Sequence, residues 1–264
     1  MTGWSFQKPI RRAPRPPARL VGIVAAALAV GLVTGAAQPP PASVQTPVPI
    51  AHSTTQDSTL AAANLGRTTL LAEAHHELTA MRHSRYQHKT EVNEREAKYF
   101  YDCSGFLDYA LEHFNPKALR ELHANPRSKR PLAEDFVHKL QKAAKGGTGG
   151  SWQSVGTVAE LRPGNVIAWL TAPGSDTDNT GHVMIVDGRP VQNPQRAGEW
   201  LVKIIDSTKS PHADDSRPKG ATGLGTGTVG LIVNGSGQPV GYYWRGGVST
   251  SVAKHTQVAL GRVG

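Results

Sequence analysis

The chain has 264 residues, a formal net charge of +9, 38% hydrophobic and 19% charged residues, and a single cysteine. That length supports one moderate core and excludes two well-separated large domains. Five of the nine charges (Lys8, Arg11, Arg12, Arg15 and Arg19) fall in the first 37 residues, leaving +4 on the remainder; without basic clusters interleaved with aromatics, this excludes a nucleic-acid partner.

Residues 1–37 read as a signal peptide: a positive n-region, the apolar run Leu20 to Val33, and the small residues Gly35-Ala36-Ala37 for a peptidase. The Ala and Gly content makes a weak membrane span, so cleavage is expected and stable membrane insertion afterwards is not; an uncleaved anchor is the competing reading. No cysteine lies near the site, which excludes a lipoprotein anchor. An exported location follows, whether periplasm, cell envelope or medium. Residues 38–57 are rich in Pro, Ser and Thr and form a linker. Residues 58–98 are an N-terminal helical segment. Asp57 and Ser58 cap a helix running to about Arg82, with Leu71, Ala74, Leu78 and Met81 as its buried stripe. The stretch from Ser84 to Phe100 is polar and irregular.

A second helix begins at Cys103, carries Phe106, Ala110 and Phe114 at i+4 with Leu107 and Leu111, and ends at Asn115-Pro116. A third starts near Pro131 and presents Phe136, Val137 and Leu140 before Gly146-Gly147. The texture then changes to short β-rich runs at 165–170, 182–187, 200–206, 228–234 and 239–244, each bounded by turn residues, which predicts an antiparallel sheet. The polar loop Thr171–Gly181 is long enough for a flap. Helix-biased and strand-biased halves make the fold class α+β. Residues 99–250 form one domain and residues 251–264 a C-terminal tail.

An exported protein that uses cysteine structurally uses it in pairs. Cys103 has no partner, so it is a buried small hydrophobe, a partner for another chain, or a reactive thiol. The local sequence Asp102-Cys103-Ser104-Gly105-Phe106 favours the last. A helix N-terminus lowers a thiol below its usual value of about 8.5 and supplies N–H groups for an oxyanion. Asp102 caps the helix, and Gly105 lets another segment approach its first turn. His182 opens the apolar run Gly181-His182-Val183-Met184-Ile185-Val186, and Asp206 ends Val202-Lys203-Ile204-Ile205-Asp206. If these strands pair, the carboxylate can orient the imidazole as in a triad; the competing role for Asp206 is to cap a turn with Ser207-Thr208.

Asp-Cys-Ser-Gly-Phe, then Leu161-Arg162-Pro163-Gly164-Asn165-Val166-Ile167-Ala168-Trp169, then Gly-His-Val-Met-Ile-Val, resembles the NlpC/P60 cysteine peptidases over Tyr99 to Trp244. The resemblance implies a papain-like fold, a nucleophile-bearing helix packed on an antiparallel sheet, here with an added N-terminal helix. It implies cleavage of amide bonds in cell-wall peptides next to D-glutamate and diaminopimelate. Cys103 takes the nucleophile's place, His182 the base's and Asp206 that of the orienting residue, which in many members is His, Asn or Gln. Tyr101 and Asp102 fall near the substrate's peptide end, with Tyr86 and Tyr99 competing for the tyrosine's place. Ser104 and Trp169 complete the expected substrate-binding set, Trp169 also packing the core beside the site. No wall-binding module is recognisable, and the segment Lys117–Gly150 and the stretch after Asp206 depart from the pattern.

No metal or organic cofactor is implied: there is one cysteine and no H-E-x-x-H, and His75-His76 face different directions on their helix. His212 reads as a surface loop residue, Gly223 to Gly227 as a turn, and Arg127 to Arg130 as a solvated loop. Ser216-Arg217-Pro218-Lys219 matches S-x-x-K in letters only, because its internal proline disfavours a helix. The expected activity is an exported cysteine amidohydrolase working through a thioester acyl-enzyme. A thiol acyltransferase or amidase on a non-wall substrate, and a non-enzymatic envelope-binding protein on the same fold, are the alternatives.

Overall fold

The computed structural model describes residues 69–123, 126, 128–146, 150–175 and 179–264. The expected signal peptide, the linker and the first turns of the N-terminal helix lie outside the described residues. Helix α1 spans Leu70–Ala80, and the Thr69 hydroxyl caps it by accepting from the Ala72 amide at 3.1 Å. Three short strands follow, β1 (His83–Arg85), β2 (Glu91–Asn93) and β3 (Lys98–Phe100), where an irregular stretch was expected. They form a small sheet with β3 central, parallel to β1 and antiparallel to β2. Strands of three residues carry too little alternation to register as a period-2 signal.

Helix α2 is Cys103–Phe114, as the spacing predicts, and Asn115 with Pro116 both ends it and starts the short α3 (Pro116–Arg120). Helix α4 is Ala133–Ala144. The rest of the described chain is a nine-stranded sheet: β4 (Trp152–Ser154), β5 (Val166–Leu170), β6 (Gly181–Val186), β7 (Val191–Gln192), β8 (Glu199–Thr208), β9 (Gly223–Val233), β10 (Pro239–Tyr243), β11 (Ala253–His255) and β12 (Val258–Val263). Its order is β11-β10-β9-β8-β6-β5-β12-β4, with β7 alongside β8, and every recorded pairing is antiparallel. The fold is thus mixed α and β, with a large antiparallel sheet and few helices.

The sheet is buried on both faces. Along β6, Val183 and Ile185 pack with Phe106, Leu107 and Leu111 of α2, while Met184 and Val186 pack with Ile204, Val229 and Leu231 on the other side. Two-sided burial explains the unbroken apolar run after His182. The expected C-terminal tail is corrected: β12 is an interior strand between β5 and β4, and its Ala259 and Leu260 are buried. Its polar flanks and a single short apolar stretch hid it. Among the described residues no helix is long and apolar enough to cross a membrane.

Candidate active site

Three tethers fix the place of Cys103. The Asp102 carboxylate accepts from the Gly105 amide at 2.8 Å, capping α2. The Ser207 hydroxyl at the end of β8 donates to the Tyr101 carbonyl at 2.7 Å. The Tyr101 amide reaches the Arg85 carbonyl at 3.2 Å, hanging the segment on the small sheet. Cys103 is buried, 4% exposed, with the backbone N–H of Val183, the residue after His182, near enough to its sulfur to favour the thiolate. Burial pushes the thiol up, the Asp102 carboxylate adds to this, and the amides of Val183 and Ser104 only partly oppose it. The expected lowered thiol is therefore corrected: desolvation and a neighbouring anion outweigh the helix end, and the resting sulfur is an S–H.

His182 stands at the rim of the sheet. Only glycine fits before it: at Gly181, φ is +151° and a Cβ would meet the Trp169 carbonyl oxygen at 1.9 Å. Strands β6 and β8 pair at Ile185 with Ile205 and Val186 with Ile204, and toward His182 they part. The imidazole bridges the opening, with Nε2 2.6 Å from Asp206 Oδ2. Since an ionised carboxylate only accepts, Nε2 carries the proton and Nδ1 keeps its lone pair. Burial lowers the His182 pKa and His212 and Arg217 lower it further, against the pull of Asp206, so the imidazole is neutral.

Asp206 is fully buried, and His182 is only one of its partners. His212 Nε2 lies 2.9 Å from Oδ2, and Arg217 Nη2 donates to Oδ1 at 2.5 Å and to the Asp206 carbonyl at 2.6 Å. Burial alone would raise this carboxyl, but His212 and His182 outweigh it and hold it well below the usual carboxylate range. Asp215 closes the cluster by accepting from Arg217 Nη1 at 2.8 Å. His212, expected on the surface, is 3% exposed.

The glycines expected to form a turn explain how this is possible. Gly225 and Gly227 lie inside β9, opposite Asp206 and Ile204 of β8. A Cβ on Gly225 would meet the Arg217 side chain at 2.7 Å, and one on Gly227 would meet His212 Cβ at 2.6 Å. Alternate glycines in a strand make a floor on which another segment lies. That i, i+2 spacing was the available signal, and it was lost to the turn reading.

Of the four expected substrate contacts, Tyr101, Ser104 and Asp102 are corrected, while Trp169 lines the groove over His182. Tyr101 is fully buried and donates its hydroxyl to Glu77 Oε2 at 2.5 Å, which places it in the core under α1. Ser104 is 2% exposed and held between Asp102 Oδ1 at 3.2 Å and Arg130 Nη1 at 2.8 Å. Asp102 has both oxygens occupied, Oδ1 by Gly105 and Arg130 Nη2 (2.8 Å) and Oδ2 by Arg130 Nη2 (2.6 Å) and His88 Nδ1 (3.1 Å). Arg130, expected in a solvated loop, is instead the clamp on the helix cap. Trp169 is 1% exposed and stacks on Tyr242 at 4.0 Å, so it packs the wall beside His182.

A groove of about 660 Å³ opens over His182, lined by Tyr86, His88, Lys209, Tyr242 and Trp244 together with Thr171, Ser175 and Asn179 of the expected flap. Tyr86, one of the competing tyrosines, is the one that reaches it. His182, Asp206 and His212 also bring three ligand-type atoms within 4.8 Å of one another. Those atoms already bond each other directly and a guanidinium holds the remaining carboxylate oxygen, which fits a hydrogen-bonded charge cluster and not a cation site. Compared with known protein families, curated proteins and solved structures, the chain matches none.

Proposed function

We propose that the chain is an exported cysteine amidohydrolase whose catalytic domain is papain-like and of the NlpC/P60 type, acting on amide bonds of cell-wall peptides. The observation that supports it most is the placement of the single cysteine at the start of α2, beside the backbone of the residue after His182, while Asp206 holds Nε2 of His182. This order and tautomer support reading His182 as the base and Asp206 as the acid that orients it.

The resting pair is neutral thiol and neutral imidazole. As sulfur attacks the amide carbon, Nδ1 of His182 takes the thiol proton, and the imidazolium so formed is stabilised by Asp206. Gly105 and Phe106 amides are spent on the Asp102 cap, so the helix-end donors for the oxyanion are those of Cys103 and Ser104. His182 returns the proton to the leaving amine, which departs and leaves a thioester on Cys103. Water, deprotonated by His182, then releases the acid. The groove with Tyr86, Lys209 and Trp244 suits an extended peptide bearing polar and anionic groups. The positive n-region and apolar run of residues 1–37 support export.

Digestion of defined muropeptides, read by mass spectrometry, tests this reading. New fragments from the wild type that are absent with Cys103→Ala support it and identify the bond. A Cys103→Ala protein that yields the same fragments refutes it.

A further inference from the structure

His212 lies between two groups that can only accept. Its Nδ1 is 2.9 Å from the Trp244 carbonyl oxygen and its Nε2 is 2.9 Å from Asp206 Oδ2. Asp206 is ionised, because the buried Arg217 guanidinium donates to its other oxygen and to its carbonyl. A histidine facing two acceptors through its two ring nitrogens must carry a proton on each. The surrounding charges agree. Within the cluster Asp206 and Asp215 are negative and Arg217 positive, with Asp215 Oδ2 also accepting the His212 backbone amide at 2.8 Å. A charged His212 makes this group neutral, whereas a neutral one leaves an uncompensated buried anion.

We propose that His212 is a standing imidazolium at neutral pH and a positioning residue which, with Arg217, fixes the Asp206 carboxylate and keeps His182 a neutral base. The charge state stands on the hydrogen-bond geometry alone; its catalytic consequence rests on the amidohydrolase reading. The groups that face His182 are Asp206 from β8, and His212 and Arg217 from the loop between β8 and β9; the Cys103 thiol lies beside the neighbouring Val183. Those that face His212 are Asp206, Arg217, Asp215 and His182, with the Trp244 ring against it, tilted by 31° at a centroid distance of 4.2 Å. Asp214, next in the loop, is engaged by Thr228 Oγ1 at 3.2 Å. His182 and His212 stand 6.3 Å apart, centroid to centroid, so the two share one carboxylate and oppose each other's protonation. The chain therefore extends the expected triad by a second, non-exchanging histidine, and the glycines of β9 are the space it requires.

Long-range 15N–1H spectra of the full chain, labelled at histidine, test this without substrate. Both imidazoles lie against the Trp244 ring, so His182 is assigned by its further proximity to Trp169 and His212 by difference. The expected result at pH 7.5 is two protonated ring nitrogens on His212 and one, Nε2, on His182. An unprotonated nitrogen on His212 at that pH overturns the proposal, even where hydrolysis is found. His212→Gln supplies a second readout: removal of the charge moves the His182 titration midpoint up by roughly 1–2 pH units. A merely structural role leaves the midpoint unmoved, which would also overturn it. Should that variant not fold, the spectra of the unmutated protein decide. Failure to cut any amide, with a doubly protonated His212, would refute the enzyme reading and leave the charge assignment standing.

Discussion

Replacing Asp206 by Asn removes one charge and almost no volume, which isolates the electrostatic role of the cluster. Oδ2 takes His182 at 2.6 Å and His212 at 2.9 Å, and Oδ1 takes Arg217 at 2.5 Å. Whichever oxygen becomes the amide nitrogen, it then meets a donor. Breaking a buried charge pair by removing one partner costs about 3–5 kcal/mol, and the cost here falls near the lower end, about 3 kcal/mol, because His212 can shed a proton. Urea unfolding at pH 7, followed by tryptophan fluorescence, reads this directly. Because the folded carboxyl is held well below its unfolded value of about 3.9, its contribution is complete above that value and is lost as pH falls through the depressed one. The gap between wild type and variant therefore closes as pH drops from 5 toward 2. His212 is raised in the fold, so its share is present below about 6.5 and fades as pH rises through the higher folded value. A loss under about 1 kcal/mol at pH 7, or a gap independent of pH, would refute the reasoning.

Gly227→Ala places a Cβ 2.6 Å from His212 Cβ and is expected to cost about 1–3 kcal/mol and to lower activity by displacing His212, whereas Gly235→Ala, with nothing within 4 Å, does neither; thermal unfolding and turnover of both variants check the contrast. Asp108 is partly buried, and desolvation outweighs its Arg130 partner to push the carboxyl up to about 8, so its contribution is present below the unfolded value and lost as pH rises to 8. Asp108→Asn should gain stability relative to wild type between pH 5 and 8, and parallel unfolding profiles would contradict this. Arg130→Ala unpairs the Asp102 carboxylate and is expected to cost about 2 kcal/mol and to slow alkylation of Cys103, since an unbalanced anion beside the thiol raises it further. Arg130→Lys should recover only part of both, because an ammonium cannot span Asp102 and Ser104 as the guanidinium does.

Local signals were legible where they concern one element. The i+4 apolar spacing and the Asp102 cap marked α2, and runs bounded by turn residues marked the core of β5, β6, β8, β9 and β10. The order Cys103, His182, Asp206 was visible because each has a local setting: a helix start, a strand start and a strand end. What stayed hidden depends on long-range approach. Apart from the alternate glycines of β9, nothing announces that the loop carrying His212 and Arg217 folds back to reach Asp206. Arg130 is likewise 28 residues from the carboxylate it clamps. Tyr101 was misplaced because adjacency to a nucleophile in sequence says nothing about which way the ring turns, and here it turns under α1 to Glu77. Strands β4, β11 and β12 were too short or too polar at their edges to show a period, although β12 completes the sheet.

Acid quenching of the wild-type protein during turnover of a cell-wall peptide, followed by peptide mapping by mass spectrometry, tests the central claim most directly. A mass increment equal to the acyl fragment on the peptide containing Cys103, sensitive to hydroxylamine and missing in His182→Ala, is the predicted result. Product release by Cys103→Ala at the wild-type rate would contradict it.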